Sequence, residues 1–135
     1  MIKKLLIIFL ISSQFLSARN IQETTFAYWS KPDVKVYYSA PTNITENTKI
    51  IFIIHGGSRG ADSYLKDWIT LAEGRDAFLV APKFSKIFFN EYAYLMKTDK
   101  WGRSLKDSSL DLDSSLGEFF DFFTFKFNIK TEYFR

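Results

Sequence analysis

The one histidine of this chain opens a glycine-rich run, His55-Gly56-Gly57-Ser58-Arg59-Gly60, directly after five apolar residues, Ile50-Ile51-Phe52-Ile53-Ile54. Gly56 to Gly60 fits G-x-S-x-G, a spacing that presents a nucleophilic serine on a strand-to-helix turn. The chemistry argues against that use of Ser58. A serine hydroxyl needs a base to take its proton, and behind such a turn the base follows the serine in the chain. His55 precedes Ser58, and no histidine comes after it. The same run supports a different chemistry. A buried strand ending in H-G-G can present backbone N–H groups to the negative charge that develops on a carbonyl under attack. On this reading Gly57 and Ser58 act through their amides, and His55 orients the loop by hydrogen bonding. Glycine at 57 is expected to be needed for a sharp turn and close approach of substrate, so that a β-branched replacement would obstruct both.

Other chemistries are thinly supplied. The absence of cysteine excludes disulfides, thiolate metal sites and cysteine nucleophiles, and one histidine excludes most histidine-based metal sites. Neither a metal nor a cofactor is expected. Asp111, Asp113 and Ser115 suggest a calcium loop, but the sixth and twelfth positions hold Leu116 and Phe122 where Gly and Glu are required. They read instead as acids complementing the dipole of a following helix. Lys97, Lys100, Arg103 and Lys106 surround Trp101, as a phosphate-and-base contact would, yet Asp99 interrupts them and an acidic run follows; a solvated loop is expected. The phenylalanines at 119, 120, 123 and 127 could form a polymer- or lipid-binding face. Their helical spacing points to core packing first.

The elements that must position the loop follow from periodicity. Val34-Lys35-Val36-Tyr37-Tyr38 alternates like a half-buried strand near a sheet edge. The unbroken run at 50–54 reads as a central strand covered on both faces. After the loop, Leu65, Trp68, Ile69 and Ala72 share one face of a helix, with Asp62 as N-cap and Gly74 as stop. Ala77-Phe78-Leu79-Val80-Ala81 is the next buried strand, closed by Pro82. Strand, helix and strand within about 30 residues make a βαβ unit, so an α/β fold with a mostly parallel sheet is expected. A mixed connection follows. Helical spacing returns at Leu116, with Ser115 and Glu118 spaced as a capping box and Asn128 as stop. Residues 131–135 then begin to resemble a further strand.

Residues 49–86 resemble the front part of secreted α/β-hydrolases of the esterase and polyester-depolymerase-like kind. The likeness rests on His55-Gly56, Arg59, Asp62-Ser63-Tyr64, Asp67-Trp68-Ile69-Thr70-Leu71-Ala72 and Ala81-Pro82-Lys83-Phe84. It is specific over about 40 residues, and weaker at 119–135, which is similar to the approach to that family's nucleophile strand. The resemblance implies a partial α/β-hydrolase fold, cut short before the nucleophile elbow, with the triad serine, acid and histidine all beyond Arg135. It implies a serine hydrolase family acting on carboxylic esters, small or polymeric, and a chain inactive alone that holds only the oxyanion loop His55, Gly56, Gly57 and Ser58. The alternative is a non-catalytic exported binding module built on a hydrolase-like βαβ unit.

The N-terminus reads as an address. Lys3-Lys4, the apolar stretch at 5–11 and a small residue at Ala18 have the layout of a secretory signal peptide, with cleavage between Ala18 and Arg19. The apolar stretch is far short of the roughly 20 residues a membrane-spanning helix needs, so an exported, periplasmic or secreted, unanchored chain of residues 19–135 is expected. Removing 1–18 leaves 16 basic against 15 acidic residues, and this near balance argues against a nucleic-acid partner. Hydrophobic residues at 47% and aromatic residues at 19% supply a sizeable core for one domain, 19–135.

Overall fold

The computed structural model describes residues 19–106, 111–113 and 116–127. The segment 1–18 read as a signal peptide, the Ser115 and Asn128 boundaries and the strand expected at 131–135 lie outside them. Four strands form one sheet: β1 (Gln22–Phe26), β2 (Val34–Ser39), β3 (Lys49–Phe52) and β4 (Ala77–Lys83), in the order β1-β2-β4-β3. Helix α1 (Ala61–Ala72) connects β3 to β4, and α2 (Leu116–Lys126) follows a long connection containing one 3-10 turn at Tyr92–Tyr94.

The expected βαβ unit is present: β3 and β4 run parallel on either side of α1. The mostly parallel sheet is not. β1 pairs with β2 and β2 with β4 antiparallel, so the described sheet is mixed. The short connection at 27–33 allows only an antiparallel return between β1 and β2. The expected places of two strands are exchanged. β2, read as near an edge, lies inside the sheet, while β3, read as central, is its edge among the described residues. β4 is the strand covered on both faces, with six consecutive buried residues.

Alternation along each strand sorts the side chains into two cores. Val34 and Val36 of β2 and Phe78 and Val80 of β4 face α2, where they join Phe26, Phe84, Phe119 and Phe123. Ala77, Leu79 and Ala81 face α1 and meet Ala61, Leu65 and Ala72. On α1, successive residues turn by about 100°, which puts Trp68 about 60° off the Leu65 direction. Trp68 therefore stays 41% exposed rather than in the core. Asp62 is not the N-cap either: the helix starts at Ala61 behind Gly60 without a side-chain cap, and Asp62 lies in the first turn, where its charge suits the helix dipole. Gly74 does end the helix, in the left-handed region at φ 69°.

Candidate functional site

The chain leaves the sheet just after β3. Ile53 still donates its N–H to the Val80 carbonyl at 2.8 Å. Backbone groups two residues apart along a strand point to the same side, so Val80, Pro82 and Phe84 all face the β3 side. Pro82 has no N–H to give, and the ladder stops there. At Phe84 the vacant partner is a side chain: the Phe84 N–H donates to His55 Nε2 at 3.0 Å. A ring nitrogen that accepts carries no proton, so the proton sits on Nδ1, which donates to the Gly56 carbonyl at 2.9 Å. His55 is buried, and burial pushes its pKa below the usual value, with Arg59 and Lys83 adding repulsion against the Gly56 hydrogen bond. Both nitrogens are engaged. In this arrangement His55 serves as a strut and has no nitrogen left for a base.

Gly57 and Ser58 follow at the exposed tip of the loop. Their amides donate to no acceptor among the described residues, whereas the Arg59 N–H closes the turn on the Gly56 carbonyl at 3.0 Å. Arg59 takes the left-handed backbone itself, at φ 63°. This departs from the expectation for Gly57, where an added methyl would meet nothing within 4 Å. The crowded glycines are Gly56, whose added methyl would come 2.8 Å from the Tyr64 hydroxyl, and Gly60, whose methyl would come 2.7 Å from Ser63 Oγ. Tyr64, on the first turns of α1, thus brings its hydroxyl against the loop.

The inner side of the loop is held by the connection after β4. The Tyr92 hydroxyl donates to the His55 carbonyl, and the Tyr92 ring lies 4.1 Å from the Arg59 guanidinium. Arg59 is only 8% exposed; its Nη2 donates to the Asn90 carbonyl at 3.0 Å, but Nε and Nη1 are enclosed without a hydrogen-bond acceptor among the described residues. Each enclosed donor left without an acceptor costs about 1–3 kcal/mol. Sequence reasoning quoted Arg59, Tyr64 and Phe84 as motif positions without roles. Asn90 and Tyr92 went unremarked, since they lie in the connection where periodicity is lost.

The remaining expectations can be placed. Lys100 and Arg103 sit over the exposed Trp101 ring, and Asp99 ties Arg103 and the turn, as expected of a solvated loop. Asp113 pairs with Lys97 at 2.6 Å. No group of three metal-ligating side chains occurs among the described residues. On α2, Phe119 and Phe123 are core, while Phe125 is 90% exposed and lines a groove of about 710 Å³ with Tyr28, Asp121, Phe122 and Lys126.

No protein-family model matches the sequence, and no curated protein matches it. Solved structures do. The chain is similar to poly(aspartic acid) hydrolase-1 from Sphingomonas sp. KT-1, with a TM-score of 0.68 and 28% identity over 82% of this chain and 43% of that one. It is also similar to LpqC, a poly(3-hydroxybutyrate) depolymerase from Bordetella parapertussis, with a TM-score of 0.61 and 16% identity over 82% of this chain and 39% of that one. The chain therefore spans less than half the length of either, and within that span it has a hydrolase-like α/β fold.

Proposed function

We propose that this chain is the N-terminal portion of an exported α/β-hydrolase acting on carboxylic esters or related acyl bonds, and that its His55–Ser58 loop supplies oxyanion-binding amides. The observation that carries this reading is the pair of amides at Gly57 and Ser58, unpartnered among the described residues and exposed on a loop whose base is fixed by His55, Phe84 and Tyr92. Fixed donors aimed at developing charge need no reorganisation during reaction, which is the source of their effect. The similarity to two polymer-acting hydrolases supports a polymeric substrate. With His55 used as a strut and no later histidine in the sequence, Ser58 has no base, and residues 19–135 are inactive by themselves.

The engagement of His55 equally favours a second reading, an exported binding module that keeps the loop without the chemistry. The gene separates the two. Reading frames beyond the Arg135 codon that supply a G-x-S-x-G serine and a later histidine support the hydrolase; an unrelated sequence supports the module. In a chain so extended, Ser58→Ala keeps most turnover of a chromogenic ester, because the amide remains. Ser58→Pro removes the N–H and lowers kcat by about 10²–10³, the effect of losing one oxyanion donor. Labelling of Ser58 by a fluorophosphonate probe would overturn this assignment.

A further inference from the structure

Helix α2 carries more aromatic surface than the described sheet covers. Phe119 and Phe123 face the core, and Phe120 packs on Phe52 of β3 at 4.4 Å. Phe122 turns to the opposite flank, over the end of β1, where it meets Phe26 at 5.2 Å and stacks on Tyr28 at 4.7 Å. On that flank Tyr28 is mostly exposed, and Phe125, one turn after Phe122, stands almost wholly in water. The groove of about 710 Å³ that these rings line is edged by one acid, Asp121, and one base, Lys126, whose Nζ lies 5.3 Å from the Phe122 ring. Aromatic rings held in water beside an apolar groove with a charged rim mark an interaction surface.

The order of charges along this strip selects its occupant. Residues three and four apart share a helix face, so Glu118, Asp121, Phe122 and Phe125 form one strip that Lys126 closes. It reads acid, acid, Phe, Phe, base from the start of α2 to its end. Turned end for end, such a strip is complementary to itself. The register that sets Phe122 against Phe125 of a second copy also sets Asp121 against its Lys126, and a two-fold axis makes each contact twice. Parallel pairing would set acid on acid and align the helix dipoles. An apolar ligand would fill the groove but leave the order of charges without a use. We propose that α2 pairs antiparallel with α2 of a second copy of this chain, each Phe125 entering the other's groove. A helix of 11 residues is only about 16 Å long, a small interface, so a weak dimer of micromolar strength is expected. The pairing rests on α2 and Tyr28 alone and is independent of the reading of the His55 loop.

Sedimentation velocity of the full chain, from low to high micromolar concentration, should show a monomer–dimer equilibrium that stops at two copies. Phe125→Asp should weaken it at least about a hundredfold, because a central aromatic carries much of a contact and the symmetry counts each change twice. Phe125 adds little to the core of the single chain, so this variant keeps the circular dichroism of the wild type. Asp121→Lys and Lys126→Asp should each weaken pairing about tenfold by setting like charges together. A mixture of those two variants should pair as strongly as the wild type, since every contact then joins opposite charges; an effect confined to one chain would not be rescued by mixing. The mixture decides even if Phe125→Asp fails to fold. A wild-type chain that stays monomeric, a dimer that Phe125→Asp leaves intact, oligomers that grow beyond two copies, or a mixture no stronger than its parts would each overturn the proposal.

Discussion

At the scale of single residues, His55 and the glycines around it make sharp predictions. Protonating His55 turns Nε2 from acceptor to donor and sets it against the Phe84 N–H. Its folded pKa lies below the unfolded value, near 6.5. The unfolded chain therefore binds the proton first as pH falls, and the contribution of His55 to stability, intact above about pH 6.5, is lost from there down through the folded pKa. Thermal melts across this range should fall more steeply for the wild type than for His55→Asn, which has no proton to gain. A parallel pH slope in the variant would show that other groups carry the effect. For the glycines, Gly56→Ala should destabilise by about 1 kcal/mol, since the new methyl meets only the hydroxyl end of the half-exposed Tyr64 side chain, which must swing aside. Gly57→Ala should stay within about 0.5 kcal/mol, since its methyl meets nothing. Urea midpoints for the two variants check the order. The sequence marked out His55 as a loop strut, because a lone histidine before the serine could not be its base. It did not reveal which glycine is crowded, because that depends on Tyr64 folding back from the next helix.

Among the elements, the types of β2, β3, β4, α1 and α2 were legible, whereas β1 was not, and neither were the strands' neighbours. The apolar period of α1 and the two runs at 50–54 and 77–81 identified the βαβ unit directly. Whether a strand is central depends on what pairs with it, and the composition of β3 is that of a covered strand although one edge is unpaired among the described residues. The opposite happens in β2, whose alternation records that Lys35 faces out while Val34 and Val36 pack under α2, not that the strand lies at an edge. The phenylalanine-rich helix shows a similar division. Phe119 is fully buried and packs edge-on to Phe26 at 4.9 Å, whereas Phe125 is 90% exposed on the same helix. Phe119→Ala should cost about 3–5 kcal/mol and Phe125→Ala no more than about 0.5 kcal/mol, read from denaturant unfolding of the folded chain. Equal losses would mean that α2 packs by another face.

For the molecule as a whole, the sheet stands between two unlike layers. α1 lies over small side chains, Ala77 and Ala81, close to the strands; α2 lies over large ones, Phe26, Phe78 and Val80. Most of the aromatic core therefore depends on α2. A chain stopped at residue 113 should bind an apolar dye far more strongly than the full chain, because the phenylalanines of the sheet lose their cover; equal dye binding would place that core elsewhere. The pairing order β1-β2-β4-β3 has a further consequence, in the order of synthesis. A ribosome releases β1 and β2 first, yet β2 finds its second neighbour only when β4 emerges, and Phe26 meets Phe119 only near the end of the described chain. Arg19 waits as well: its guanidinium binds the carbonyls of Arg75 and Ala77, more than fifty residues later. A nascent chain cut anywhere before β4 therefore carries a bare aromatic hairpin and an unanchored leading end. It stays unfolded through most of its production, the state in which a polypeptide can still be threaded through a narrow pore.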